Sequence, residues 1–114
     1  MADDCLFCRM ASGEIDVAKL HDDEFVFAIS DIAPRAPTHV LVIPKQHIAD
    51  ARALTAEHAA TLARMFEAAR RVAEAEGVLE SGYRIAFNVG DDAGMTIHHL
   101  HMHVLGGRAL GAEG

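Results

Sequence analysis

The chain has 114 residues, of which 51% are hydrophobic and 24% charged, with a net charge of −7; that suits one globular domain over residues 1–114 with a single core. So acidic a balance excludes a broad basic surface for nucleic acid, and no apolar run approaches the roughly 20 residues that span a bilayer. The opening Met-Ala-Asp-Asp-Cys lacks the basic and apolar regions of a signal peptide, so the expectation is a cytoplasmic protein with reduced thiols and no membrane partner.

Cys5-x-x-Cys8 comes first. By itself it fits a redox pair, half of a zinc site or two small core residues. A short helix is expected from Leu6 to Ser12, stopped by Gly13. Residues 17–21 and 25–29 read as strands around an Asp22-Asp23 turn. Asp31 ends the second strand, where a carboxylate can cap a turn or accept from a ribose diol. His39 opens a third strand, 40–43, closed by Pro44, and His47 follows the Pro-Lys-Gln turn. A long helix starts at Thr55 as N-cap, with Leu54 before it and Gly77 beyond its end. Its apolar stripe is read as Ala59, Leu62, Ala63, Phe66, Ala69 and Ala73, facing the core. Residues 83–88 and 100–105 complete the sheet. Between them, Asn88-Val89-Gly90-Asp91-Asp92-Ala93-Gly94-Met95-Thr96 is a polar loop whose glycines allow backbone N–H groups to approach a phosphate.

The last strand carries His99-Leu100-His101-Met102-His103-Val104-Leu105. Side chains at i, i+2 and i+4 of a strand share a face about 6.5–7 Å apart, so three imidazoles project together while Leu100, Met102 and Val104 enter a core. Imidazole serves proton transfer, nucleophilic attack and metal binding near neutral pH. A strand-built zinc enzyme holding its metal on these histidines fits the same spacing.

Together these segments resemble the histidine triad (HIT) superfamily, whose signature is His-φ-His-φ-His-φ-φ with φ apolar. The similarity runs from Cys5 to Arg108 and is to the Hint branch in its bacterial, zinc-containing form. The resemblance implies an α+β fold, a five-stranded mainly antiparallel sheet with one long and one short helix. It implies a purine nucleoside phosphoramidase or nucleotidyl hydrolase that releases AMP through a nucleotidyl-histidine intermediate on His101. His39 and His103 would line the phosphate site, Thr96 would assist the leaving group, Asn88 would sit near the α-phosphate and Asp31 would take the ribose hydroxyls. Leu6, Phe7, Met10, Ile29, Ile32 and Leu41 would wall the base, and Gly94 and Met95 belong to the loop around the nucleotide. Met95 stands where the family has Gln or Asn, and His98 where it often has an aromatic or β-branched residue. A structural Zn2+ would be held by Cys5, Cys8, His47 and His99. Family members form homodimers through the long helix and a sheet edge. Retention of His103 favours a hydrolase over the transferase branch, and Gly106-Gly107-Arg108 favours Hint over dinucleoside polyphosphate hydrolases. Three other readings stay open: a nucleotide-binding regulatory module with incidental turnover, a dinucleoside polyphosphate hydrolase, and a zinc hydrolase using the triad as ligands.

Overall fold

Apolar β-branched runs and one amphipathic helix condense into a five-stranded sheet of order β1-β2-β3-β5-β4. Its strands are β1 His21–Asp22, β2 Val26–Ser30, β3 Thr38–Pro44, β4 Tyr83–Ala86 and β5 Met102–Gly106, and every pairing is antiparallel. The computed structural model describes residues 4–113; Met1, Ala2, Asp3 and Gly114, the ends of the expected 1–114 domain, lie outside the described residues. Among the described residues no helix is long and apolar enough to cross a membrane.

Each face of the sheet has its own apolar layer. Val26, Ala28, Val40, Val42, Leu100, Met102 and Val104 pack with Met65, Ala68, Ala69 and Val72 of α2, Ala59–Ala75. On the other face Phe27, Ile29, Leu41 and Ile43 pack with Phe7 of α1, Leu6–Ser12. Helix α1 has the expected bounds, and Gly13 closes it at φ 86°, a left-handed conformation that other residues adopt only with strain.

Helix α2 keeps Ala69, Ala73 and the half-buried Leu62 of its expected stripe on the core and departs from it elsewhere. Thr61, Met65, Ala68, Ala69, Val72 and Ala73 face inward, whereas Ala59 and Ala63 are exposed and Phe66 is 46% exposed. Thr61, Met65, Ala68 and Val72 obey the same helical spacing as the expected stripe, and the alanines among the buried residues let the helix lie close to β2 and β3. Thr55 caps a 3-10 turn, Ala56–His58, through a capping box completed by the His58 ring, so the α-helix proper begins four residues after its cap.

Strand β1 is shorter than expected. Burial alternates along residues 15–22, but only His21 and Asp22 pair as a ladder, with Leu20 N–H adding one bond to Ala28 O at 2.8 Å. The turn also falls one residue later: the Asp23 carboxylate accepts from the N–H groups of Phe25 (2.7 Å) and Val26 (2.9 Å). Strand β5 starts two residues later than expected. Pro44 has no N–H to give, β3–β5 pairing stops at Val42 opposite Met102, and Leu100 N–H donates to Ile48 O at 2.6 Å instead.

Candidate active site and metal centre

That late start separates the histidines. Alternation persists through residue 104, so all three lie on the α1 face, but each ring has its own partner. His99 Nε2–H donates to Pro44 O at 2.8 Å, which leaves its Nδ1 bearing a lone pair. His101 Nδ1–H donates to His99 O at 2.7 Å, which leaves its Nε2 bearing one. Carbonyls only accept, so these tautomers follow from the hydrogen bonds. The three rings therefore do not converge on one ion, which removes the reading of the triad as a common set of zinc ligands. Phe7 fixes two of the rings edge-on, 5.7 Å from His99 and 5.2 Å from His101 between centroids.

A second relay runs through His39. Arg35 N–H donates to His39 Nδ1 at 3.1 Å, so the His39 proton is on Nε2, which lies 2.9 Å from His103 Nδ1 and 3.4 Å from Asp31 Oδ2. His103 then carries its proton on Nε2, 3.5 Å from the Asn88 amide nitrogen. Two donors facing each other at the limit of hydrogen bonding make a receptor for an acceptor oxygen placed between them.

Burial first, and then the charges of His101, His39 and Arg35, push the His103 pKa down to about 4, with Asp31 opposing. His99 is likewise lowered to about 4, chiefly by burial, and His39 is lowered in the same direction. Unfolding frees His99 and His103 to bind a proton below about pH 6.5 that the native state refuses until about pH 4, and His39 adds to the effect in the same direction. Stability therefore rises with pH across that window, by on the order of 3 kcal/mol for a group shifted as far as His103. The melting temperature of wild type should fall from pH 6.5 to 4.5, and fall less in His103→Gln; equal slopes would contradict this account.

One cleft of about 460 Å3 gathers most of the expected binding residues: Leu6, Phe7, Met10, Ile29, Asp31, Ile32, Leu41, Asn88, Gly94, Thr96, His101 and His103. Phe7, Ile29 and Leu41 belong to the core as well, so they are both packing and wall. Asp31 Oδ1 accepts from Ala33 N–H at 2.8 Å, so the turn-capping role is real and only part of the carboxylate faces the cleft. Met95 does not line the cleft. It is 5% exposed, folded beneath the loop with its N–H on Gly90 O. His39 lies behind His103, and His98 is exposed. Ser30, Ala33, Arg35, Ala93 and Ile97 also line the cleft and carried no sequence signal of their own; the carbonyl of Pro44, which orients the His99 ring, is a main-chain group that residue identity does not reveal.

Beside the cleft, Cys5, Cys8, His47 and His99 form a cluster that can hold a metal ion, with all four ligand atoms within 4.8 Å of one another. The spacing arises because Cys5 caps α1 and Cys8 sits one turn on, its N–H 3.4 Å from Cys5 Sγ. His99 Nδ1 lies 3.1 Å from Cys5 Sγ, 3.6 Å from Cys8 Sγ and 3.2 Å from His47 Nδ1, and Cys8 Sγ lies 3.3 Å from His47 Nδ1. A tetrahedron with Zn–S of about 2.3 Å and Zn–N of about 2.05 Å has S···N edges of about 3.6 Å and N···N edges of about 3.3 Å, so the donor set fits zinc. Burial, with the neighbouring Cys5, pushes the Cys8 thiol up to about 11, so a cation is what would make it a thiolate.

Residues 12–110 match the family model described as HIT domain. A purine nucleoside phosphoramidase of Escherichia coli is 41% identical over 111 residues, 97% of this chain and 93% of its own length. A HIT family hydrolase of Clostridium thermocellum superposes with a TM-score of 0.92 at 44% identity, covering 96% of each chain. One from Legionella pneumophila gives 0.89 at 44% identity, covering 92% of this chain and 94% of that one.

Proposed function

The chain belongs to the HIT domain family, and from that premise we propose that it is a purine nucleoside phosphoramidase, a nucleotidyl hydrolase releasing AMP, working as a single domain over its whole length. The observation that carries this reading is the His101 ring. Its Nδ1–H is held on the His99 carbonyl, and its Nε2 lone pair belongs to a cleft with apolar walls on one side and converging donors on the other.

In this mechanism the purine lies among Leu6, Phe7, Met10, Ile29, Ile32 and Leu41, and Asp31 accepts from the ribose hydroxyls with the oxygen positions its turn leaves open. Gly94 and Asn88 border the phosphate. His103 Nε2–H and Asn88 donate to its oxygens, where negative charge grows in the transition state. His39 acts behind them by fixing the His103 tautomer. His101 Nε2 forms a bond to the α-phosphorus, while the bond from phosphorus to the leaving nitrogen breaks and the electron pair departs with the amine. The leaving amine takes a proton through Thr96 from solvent. Water then attacks the same phosphorus and loses its proton, the N–P bond breaks, and the lone pair returns to His101. Orientation does much of the work, because a neutral imidazole held by its far nitrogen needs no reorganisation before attack.

Cys5, Cys8, His47 and His99 would hold a structural zinc, and a four-ligand site leaves no open position for substrate. The ion would fasten α1, and with it Phe7, to the residue whose carbonyl orients His101. The reading also includes a cytoplasmic homodimer. Support for pairing comes from β4, an edge strand, and from Phe66 on the outer side of α2. Light scattering at micromolar concentration should give the dimer mass; the monomer mass would contradict it.

Release of AMP from an adenosine 5′-phosphoramidate tests the activity. Turnover by wild type, lost in His101→Ala, supports phosphoramidase chemistry. Folded wild type that binds AMP yet turns over neither this substrate nor a dinucleoside polyphosphate would instead make the protein a nucleotide-binding module.

A further inference from the structure

The cleft does not end at His103. On the α1 face one rung of the sheet runs Ile29, Leu41, His103, Ala86 from β2 to β4, and the next runs His39, Leu105, Arg84. The apolar nucleoside walls lie on the β2–β3 side of His103. On the β4 side a second groove, of about 580 Å3, shares Arg35, Asn88, Ala93 and His103 with the first and reaches the C-terminal tail. Its lining concentrates positive charge: Arg35, Arg84 and Arg108 are three of the ten Lys and Arg residues in a chain of net charge −7.

Two of these arginines are held by main-chain carbonyls. Arg108 donates to Arg35 O at 2.8 Å and to Ala109 O at 3.0 Å, and Arg84 donates to Gly111 O at 2.9 Å. The Glu113 carboxylate lies 4.0 Å from Arg84 and is largely exposed, so a weakly held carboxylate from the tail already stands in the groove. With the nucleoside on one side of His103 and the leaving nitrogen in line with His101 Nε2 in the shared cleft, the substituent on that nitrogen has the β4 side to occupy.

We propose that the Arg35–Arg84–Arg108 groove is a leaving-group subsite selecting amines that carry a carboxylate, with the Glu113 side chain as its internal competitor. The inference rests on the phosphoramidase reading for the placement of the nucleotide half. Guanidinium groups suit a carboxylate because their donors are planar and permanently charged.

The test compares adenosine 5′-phosphoramidates linked through nitrogen to glycine or to glycinamide, which differ in one carboxylate. Affinity is read by calorimetry on His101→Ala, where no turnover is needed, and kcat/KM is read on otherwise wild-type protein. The glycine compound should be favoured by roughly five- to tenfold, the size of one or two partly exposed charge-assisted bonds. Arg84→Gln combined with Arg108→Gln should bring the ratio to within about twofold of one, and raised salt should reduce it. Glu113→Gln, at an exposed tail position, should raise the ratio. A ratio near one on His101→Ala overturns the subsite, as does a ratio that neither the arginine pair nor Glu113→Gln moves. Lack of AMP from both compounds with wild type overturns the phosphoramidase reading, while the affinity ratio still decides the groove.

Discussion

Replacing His101 with alanine should lower AMP release by roughly four orders of magnitude or more, the scale on which removing a nucleophile acts. Affinity for AMP should change by no more than about threefold, since most binding contact is assigned to the apolar walls and Asp31. The separation follows from position. His101 is half-buried, its Nδ1–H is committed to the His99 carbonyl, and it meets His103 only ring to ring at 5.3 Å. Removing it leaves His103, Asn88 and the loop in place. Comparable losses in affinity and turnover would make His101 a ligand-positioning residue. His103→Gln should behave differently, lowering kcat less while weakening phosphate contact, because it donates to charge and does not attack.

Metal removal should give the opposite pattern. Chelation of a bound zinc should lower the melting temperature by on the order of 15 °C, taking about 4 kcal/mol for a site saturated a thousandfold above its Kd. The AMP-releasing activity of the protein that stays folded at 25 °C should fall only several-fold. Physically, the cluster ties Cys5 and Cys8 of α1 to His99, whose ring is fully buried, so its loss loosens the support of Phe7 and of the His99 carbonyl. No group that touches phosphorus in the proposed mechanism is a ligand. Immediate loss of activity at unchanged melting temperature would make the metal catalytic, and no change in either would mean that the cluster holds none. Cys8→Ser should copy the chelated protein.

Much of this was legible in the sequence where chemistry and spacing coincide. The alternation from His99 to Leu105 puts the histidines on one face and Leu100, Met102 and Val104 in the core, as the structure has it. Cys5-x-x-Cys8, one of whose readings is half of a zinc site, joins His47 and His99 in a cluster that could hold a metal ion. What the sequence hid depends on main-chain atoms. Pro44 ends its pairing with β5 and offers its carbonyl to His99, so the triad is divided between a candidate metal cluster and the cleft, a division that the family resemblance implies and side-chain spacing alone does not register. The α2 stripe is correct at Ala69 and Ala73 and at the half-buried Leu62, but misplaced at Ala59, Ala63 and Phe66, because two apolar stripes have the same period and only contact with the sheet selects Met65 over Phe66. Met95 is expected among the nucleotide-binding residues of the loop, yet its apolar side chain turns inward to the protein. The arginine groove draws on positions 35, 84 and 108, far apart in sequence and brought together by the β5–β4 pairing and the returning tail.

The claim that His101 attacks phosphorus is tested most directly by the stereochemical course of hydrolysis of an adenosine phosphoramidate made chiral at phosphorus with sulfur and isotopic oxygen. Two in-line displacements, onto His101 and then onto water, predict retention of configuration. Inversion would mean a single displacement by water, with His101 serving as its base and no nucleotidyl-histidine on the path.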